Sequence, residues 1–195
     1  MQTELFVDMI GVQRQEVVIS ELDDIDTLVR TYRARLLRFV TFSVGDADVA
    51  ASIVQDCFLK AHNSREQFRY ECSISTWLTT IAVNLVRDHQ RVQKFQFWRK
   101  VGKTAVDVMD VASFLPSSER SPEVQLISRE RAKAVAAALE TLSERQRTVF
   151  LLRFSEEMEL PEIARATGMP INTVRTHMHR ALKAVRARVG GNAHG

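Results

Sequence analysis

Between residues 24 and 100 the chain has no proline and a single glycine, Gly45, while apolar side chains return every three or four positions. That combination points to helix. Sheet hairpins need turn residues at short intervals, and half-buried strands need alternation rather than a 3.6-residue repeat. Leu28, Tyr32, Leu36, Phe39 and Val40 form one stripe, and Val49, Ile53, Val54, Cys57, Phe58 and Ala61 form a second. Gly45 followed by Asp46 predicts a helix stop and the next helix start, because glycine takes the left-handed cap and aspartate accepts free amides. A third helix is predicted over TWLTTIAVNLVRDHQRV, capped by Ser73 or Ser75, with Trp77, Leu78, Ile81, Ala82, Leu85 and Val86 on its apolar face. The stretch HNSREQFRYECSIS ahead of it has no period and reads as a loop.

Periodicity fails from about residue 101, and FLPSSERSPEV has the proline and serine content of a linker. Helical spacing returns in VQLISRERAKAVAAALETL, and a break at Ser143 leads into ERQRTVFLLRF. The expected fold is therefore all-α, two small helical domains joined by a flexible linker. Its parts are an acidic N-terminal segment (1–23), a first domain (24–98), the linker (99–127), a second domain (128–189) and a tail (190–195).

Charge is distributed unevenly around a net of +3. Residues 1–26 carry a net −6, residues 84–103 a net +5, and residues 163–195 hold six bases and no acid. Two separated basic blocks predict two contacts with a polyanion. Only Cys57 and Cys72 occur, with no Cys-x-x-Cys pair, which excludes a disulfide framework or a cysteine-built zinc site. The first residues carry acids where a secretory signal carries bases, and no run approaches the ~20 apolar residues of a membrane span, so no membrane insertion and a cytoplasmic location are expected.

The stretch LPEIARATGMPINTVRTHMHRALKAVRARV has helix-turn-helix layout. Pro161 suits a first helical turn, Gly168 a stop, and a second helix follows Met169 to Ile171. Leu160, Ile163, Ala164, Val174, Met178, Leu182 and Val185 would join the two helices. Asn172, Thr173, Arg175, Thr176, His179, Arg180 and Lys183 are then left outside, groups suited to base edges and phosphates.

With these motifs in view, both halves resemble the extracytoplasmic-function (group IV) sigma factors of bacterial RNA polymerase. YRARLLRF, GDADVAASIVQDCFLKA and FRYECSISTWLTTIAVNLVRDHQR are similar to the family's region 2, and LETLSERQRTVFLLRF with LPEIARATGMPINTVRTHMHRAL to its region 4. The resemblance implies an initiation factor that directs core polymerase to specific promoters, helps open the DNA, performs no bond chemistry and needs no cofactor or metal. It implies docking of Ser52, Gln55, Asp56, Phe58 and Lys60 on the beta-prime clamp helices, although Phe58 also reads as internal, and contact of the second domain with the beta flap. Minus-ten DNA would meet Phe68, Tyr70, Ser73, Trp77, Asn84, Arg87 and Arg91, with Trp77 mainly a core residue. Minus-thirty-five DNA would meet Asn172, Arg175, Thr176, His179, Arg180 and Lys183. An anti-sigma factor is the further implied partner, in a stress or envelope response.

This chain departs from the family's common pattern at Pro170, Asn172 and His177, which affects which promoter is read. The acidic N-terminus, and the pair Phe97 and Trp98, are not covered by the pattern; the acids could shield the basic faces or enlarge an inhibitor contact. The rival reading is a helix-turn-helix regulator not associated with core polymerase, and it leaves SIVQDCFLKA and FRYECSISTWL without a role. A hydrolytic or nucleotide-binding enzyme lacks every phosphate-loop and nucleophile-elbow motif. His177 and His179 diverge by some 200° around a helix and cannot readily share a metal. Glu156, Glu157, Glu159 and Glu162 read as helix-start acids that favour the macrodipole. Cys72 reads as a passive small residue rather than an oxidation sensor.

Overall fold

The structure is a computed structural model that describes residues 22–99 and 134–191, with side chains described for 22–94 and 134–188. The acidic segment up to residue 21, most of the linker, the side chains of Phe97 and Trp98 and the last four residues lie outside what is described.

Helices α1 (Ile25–Val44), α2 (Ala47–Ser64) and α3 (Ile74–Arg99) form the first module, with a short 3-10 turn at Arg65–Gln67. Their ends follow the cap chemistry. The Asp24 carboxylate accepts the amides of Asp26 and Thr27 and, at 2.6 Å, the Thr27 hydroxyl. Thr27 is accordingly the first cause of an Asp24 pKa below the usual carboxylate range. Gly45 sits at φ 79° with its N–H on the Thr41 carbonyl, and the Asp46 side chain receives Asp48 and Val49. Ser73, not Ser75, caps α3, accepting the Thr76 amide at 3.1 Å.

The core of this module takes Leu28, Leu36, Phe39 and Val40 from α1, Ile53, Val54, Cys57 and Phe58 from α2, and Leu78, Ala82, Val83 and Val86 from α3. Trp77, Ile81 and Leu85 are only partly buried against it. Cys57 donates its thiol to the Leu78 carbonyl at 3.4 Å. Burial pushes that thiol up to about 12, so it stays protonated and unreactive.

The second module comprises helical residues 134–140 (α4), α5 (Glu144–Phe154), α6 (Leu160–Thr167) and α7 (Ile171–Gly191). Ser143 and Gln146 form a reciprocal capping box at the start of α5. Leu139, Leu142, Val149, Leu152, Met158, Ile163, Val174 and Ala181 close its interior. Arg147 ties α4 to α5 by donating to the carbonyls of Leu139 and Glu140.

The two modules pack against each other, α3 on α6 and α1 on α5, and their buried side chains form one continuous cluster. This contact was not visible in the residue pattern. It explains why Val83, off the expected stripe of α3, is 4% exposed: the side of α3 carrying it lines the cleft that faces the second module.

Candidate nucleic-acid interface

In the helix-turn-helix, α6 ends at Gly168 with φ 68°. An added Cβ there would meet nothing within 4 Å, so glycine is favoured by backbone conformation rather than by space. The Pro170 carbonyl then accepts the amides of Thr173 and Val174, which starts α7 without a side-chain cap. Val174, Met178 and Ala181 point inward. On the opposite side Asn172, Arg175, Thr176, His179, Arg180 and Lys183 are all exposed, six candidates on a single helix with no acid among them.

Within this row, Arg175 Nη1 donates to Asn172 Oδ1 at 3.1 Å, and the Thr176 hydroxyl donates to the Asn172 carbonyl at 2.9 Å. The Arg175 guanidinium is thereby steadied while its other donors remain available for a base edge. His177 faces the other way, half-buried with its Nδ1 unpartnered. Burial, then Arg145 and Arg180, lower its pKa, so this side of α7 favours a neutral imidazole.

The loop ahead of α3 gathers three aromatic rings. Phe68 lies edge-on to Tyr70 at 5.0 Å between centroids and tilted on Trp77 at 5.1 Å. Phe68 is 7% exposed and forms the floor of the group, whereas Tyr70 is 39% exposed. Tyr70 also sits at φ 58°, a strained setting for a bulky residue that holds its ring at the surface of the loop. The ring of the three that faces solvent is therefore Tyr70, backed by Phe68 and by a half-buried Trp77, a geometry suited to stacking.

Ser73, exposed, is engaged as the α3 cap and donates to the Thr76 hydroxyl. Asn84 is half-buried and accepts from Arg87 at 2.8 Å. The same Arg87 reaches the Thr167 carbonyl of α6 at 3.5 Å, while Arg91 is exposed and paired with Asp88.

On α2, Ser52, Gln55, Asp56 and Lys60 are exposed, as their spacing predicts. Phe58 is 6% exposed and supports this face from beneath instead of presenting its ring. Leu59, 55% exposed, was missed, although it lies off the apolar stripe of α2 and shares the outer row with Ser52, Gln55 and Asp56, so its spacing could have found it. It borders a groove between α1 and α2 lined also by Ile25, Val29, Leu37, Val54 and Phe58.

Glu156 was misread as a helix-start acid. It lies between α5 and α6 at 6% exposure, and its carboxylate accepts from Arg35 Nε at 2.8 Å and from the Thr79 hydroxyl at 3.2 Å. Glu162 does act at a helix start, accepting the Glu159 amide at 2.8 Å. Cys72 is half-buried, and burial followed by the Glu162 charge raises its pKa, which makes it a poor nucleophile. Among the described residues no three His, Cys, Asp or Glu side chains are grouped to hold a metal ion, and no helix is long and apolar enough to cross a membrane.

Comparison with known proteins adds an independent line. The family model described as Sigma-70 region 2 matches residues 28–96, and that described as Sigma-70, region 4 matches residues 132–185. The ECF RNA polymerase sigma factor SigW of Bacillus subtilis is 26% identical over 178 residues, covering 91% of this chain and 95% of the relative. The ECF RNA polymerase sigma-E factor of Escherichia coli is 28% identical over 191 residues, 96% of each. In fold, the chain is similar to the sigma factor RpoE of Bartonella quintana, solved with the anti-sigma factor NepR, at TM-score 0.67 and 21% identity, covering 86% of this chain and 98% of that one. It is also similar to CnrH, solved with the cytosolic domain of CnrY, at TM-score 0.56 and 19% identity, covering 90% of this chain and 96% of that one. With both regions matched in order and relatives aligned along nearly their whole length, the chain belongs to the ECF family of RNA polymerase sigma factors.

Proposed function

We propose that this sigma factor docks on core polymerase through the exposed face of α2, with Ser52, Gln55, Asp56 and Lys60 as polar contacts and Leu59 as the apolar one. Tyr70, backed by Phe68 and Trp77, receives an unstacked base of the minus-ten non-template strand. Extruding a base costs a few kcal/mol, and a rigid aromatic face with adjacent donors offsets it. Asn84, Arg87 and Arg91, with Ser73 at the loop's end, follow that strand. The exposed row of α7 enters the major groove at minus thirty-five, and the second module reaches the beta flap. The factor acts in the cytoplasm, without bond chemistry of its own, and is restrained by an anti-sigma factor.

The observation that carries this reading is the segregation of α7, whose six candidate contacts are all solvent-facing while Val174, Met178 and Ala181 hold the helix from behind. The anti-sigma part draws support from the Bartonella quintana sigma factor RpoE of similar fold, solved with the anti-sigma factor NepR.

The test is run-off transcription from a library of upstream fragments with purified bacterial core polymerase and this protein. Initiation from a subset of fragments, lost with Asp56→Arg and Leu59→Glu while helicity is kept, supports the reading. Sequence-specific DNA binding without core association or initiation would overturn it in favour of a regulator.

A further inference from the structure

The groove between α1 and α2 is an apolar surface that the described residues leave uncovered. Val54 and Phe58 form its floor, Ile25, Val29 and Leu37 its α1 side, and Leu59 stands exposed at its α2 edge. It has a volume of about 600 Å³, and its lining contains Arg33 and His62 but no acid. Arg33 is exposed and has neither an ion pair nor a hydrogen bond among the described residues, and the sheltered His62 Nδ1 is likewise without a partner. Such a groove fits an amphipathic segment that carries apolar anchors at helical spacing and negative charge beside them.

The same chain holds such a segment in TELFVDMIGV, residues 3–12. Wound as a helix, the i, i+4 pairs Leu5 with Met9 and Phe6 with Ile10 share one face, and Glu4 and Asp8 lie one turn apart along its edge. Thr3 suits the cap and Gly11 the stop, and no Lys or Arg precedes Arg14. Dimensions agree as well. Ten helical residues are about 15 Å long, against about 18 Å for the twelve α1 positions from Ile25 to Leu37. Nine residues separate Val12 from Leu22, enough to span about 33 Å when extended. Leu22 is itself buried, three positions before Ile25.

We infer that residues 3–12 occupy the α1–α2 groove of their own chain, with Leu5, Phe6, Met9 and Ile10 inward and the acids towards Arg33 and His62. A segment this short does not hold a helix alone, so it folds on the groove. The tether makes a weak contact sufficient: at roughly millimolar effective concentration, an occupancy of about nine-tenths needs a dissociation constant of only about 0.1 mM. Ser52, Gln55 and Leu59, which border the groove, belong to the face proposed for core polymerase, so segment and polymerase compete. That consequence rests on the sigma reading, and the occupancy does not.

The test is the rate at which iodoacetamide alkylates Ala51→Cys in the full chain with Cys72→Ser. Ala51 is exposed, lines the groove and lies outside the proposed polymerase contacts. Cys57 stays silent because its thiol is buried and protonated. Phe6→Glu with Ile10→Glu is expected to speed labelling about tenfold, the inverse of the open fraction. Val92→Cys, exposed on α3, reacts at one rate in both backgrounds. Arg33→Glu also speeds labelling of Ala51→Cys, and adding Glu4→Arg with Asp8→Arg slows it again.

Equal rates in the parent and the Phe6→Glu, Ile10→Glu chain overturn the inference, and protection that vanishes on dilution overturns it in favour of a second copy. In chains with Ala51 intact, the same segment variant binds core polymerase about tenfold tighter. Faster labelling without tighter binding keeps the occupant and removes polymerase from this face, so the two readings fail separately.

Discussion

The two modules place their functional side chains in opposite ways. In the first module site and core overlap: Phe58 lies beneath the candidate polymerase-docking side of α2, Phe68 is the floor of the aromatic group, and Asn84 is half-buried. In the second, the candidate DNA contacts are an exposed row on α7, and the interior is closed by a separate set of residues. A surface row can change its bases without disturbing the fold. A pocket for an extruded base needs depth, and depth is made from core residues. On the proposed function, recognition at minus thirty-five is therefore the evolvable half of this protein, and strand opening the constrained half.

The comparison breaks most visibly at Phe58→Ala. Truncating a nearly buried aromatic is expected to cost about 3 to 5 kcal/mol, read as a fall in the urea midpoint of the full chain. A midpoint within experimental error of the parent would mean that α2 does not rest on this ring. Arg175→Ala should do the converse, losing roughly 1 to 3 kcal/mol of discrimination at one minus-thirty-five base pair. Thermal stability should stay put, since surface changes of this kind move it by less than about 0.5 kcal/mol. A loss of stability comparable to the loss of binding would dissolve the distinction between the modules.

Glu157 sharpens it further. This residue sits at φ 56°, in the left-handed region, at the exposed turn between α5 and α6. Glu157→Gly should stabilise the second module by about 1 kcal/mol, the lower end of the left-handed cost for an L-residue, seen as a higher denaturation midpoint. A lower midpoint would show that the strain is offset by an interaction of the side chain.

The smallest effect is that of pH on His177. Burial and the nearby Arg145 and Arg180 depress its folded-state pKa, so the unfolded chain binds the proton first as pH falls below about 6.5. Stability should be full above that point and decline below it, and His177→Asn should flatten the decline in a pH series of melting temperatures. An unchanged slope would assign the acid sensitivity to other groups.

Much of the fold was legible because its signals are local. Gly45 and Asp46, Ser143, Pro161 and Gly168 each act on backbone groups within four residues of themselves. The α7 row was legible for the same reason: a regular helix assigns faces by position alone. The misreadings share one cause. Glu156 and Val83 owe their burial to residues far along the chain, Arg35 lying 121 positions from Glu156. Four glutamates in a row of seven positions look alike in sequence, yet one is buried beside Arg35, one strains the turn and one holds the Glu159 amide.

The sequence by itself determined the helices, their caps, the two helical regions and the row of side chains left exposed on α7. Those follow from i to i+4 hydrogen bonds and from the helical repeat. Only the tertiary structure decided which acid is buried, which aromatic is offered to solvent and that the two modules close on each other. Burial and long-range ion pairs depend on what the rest of the chain brings alongside, and no local pattern records it.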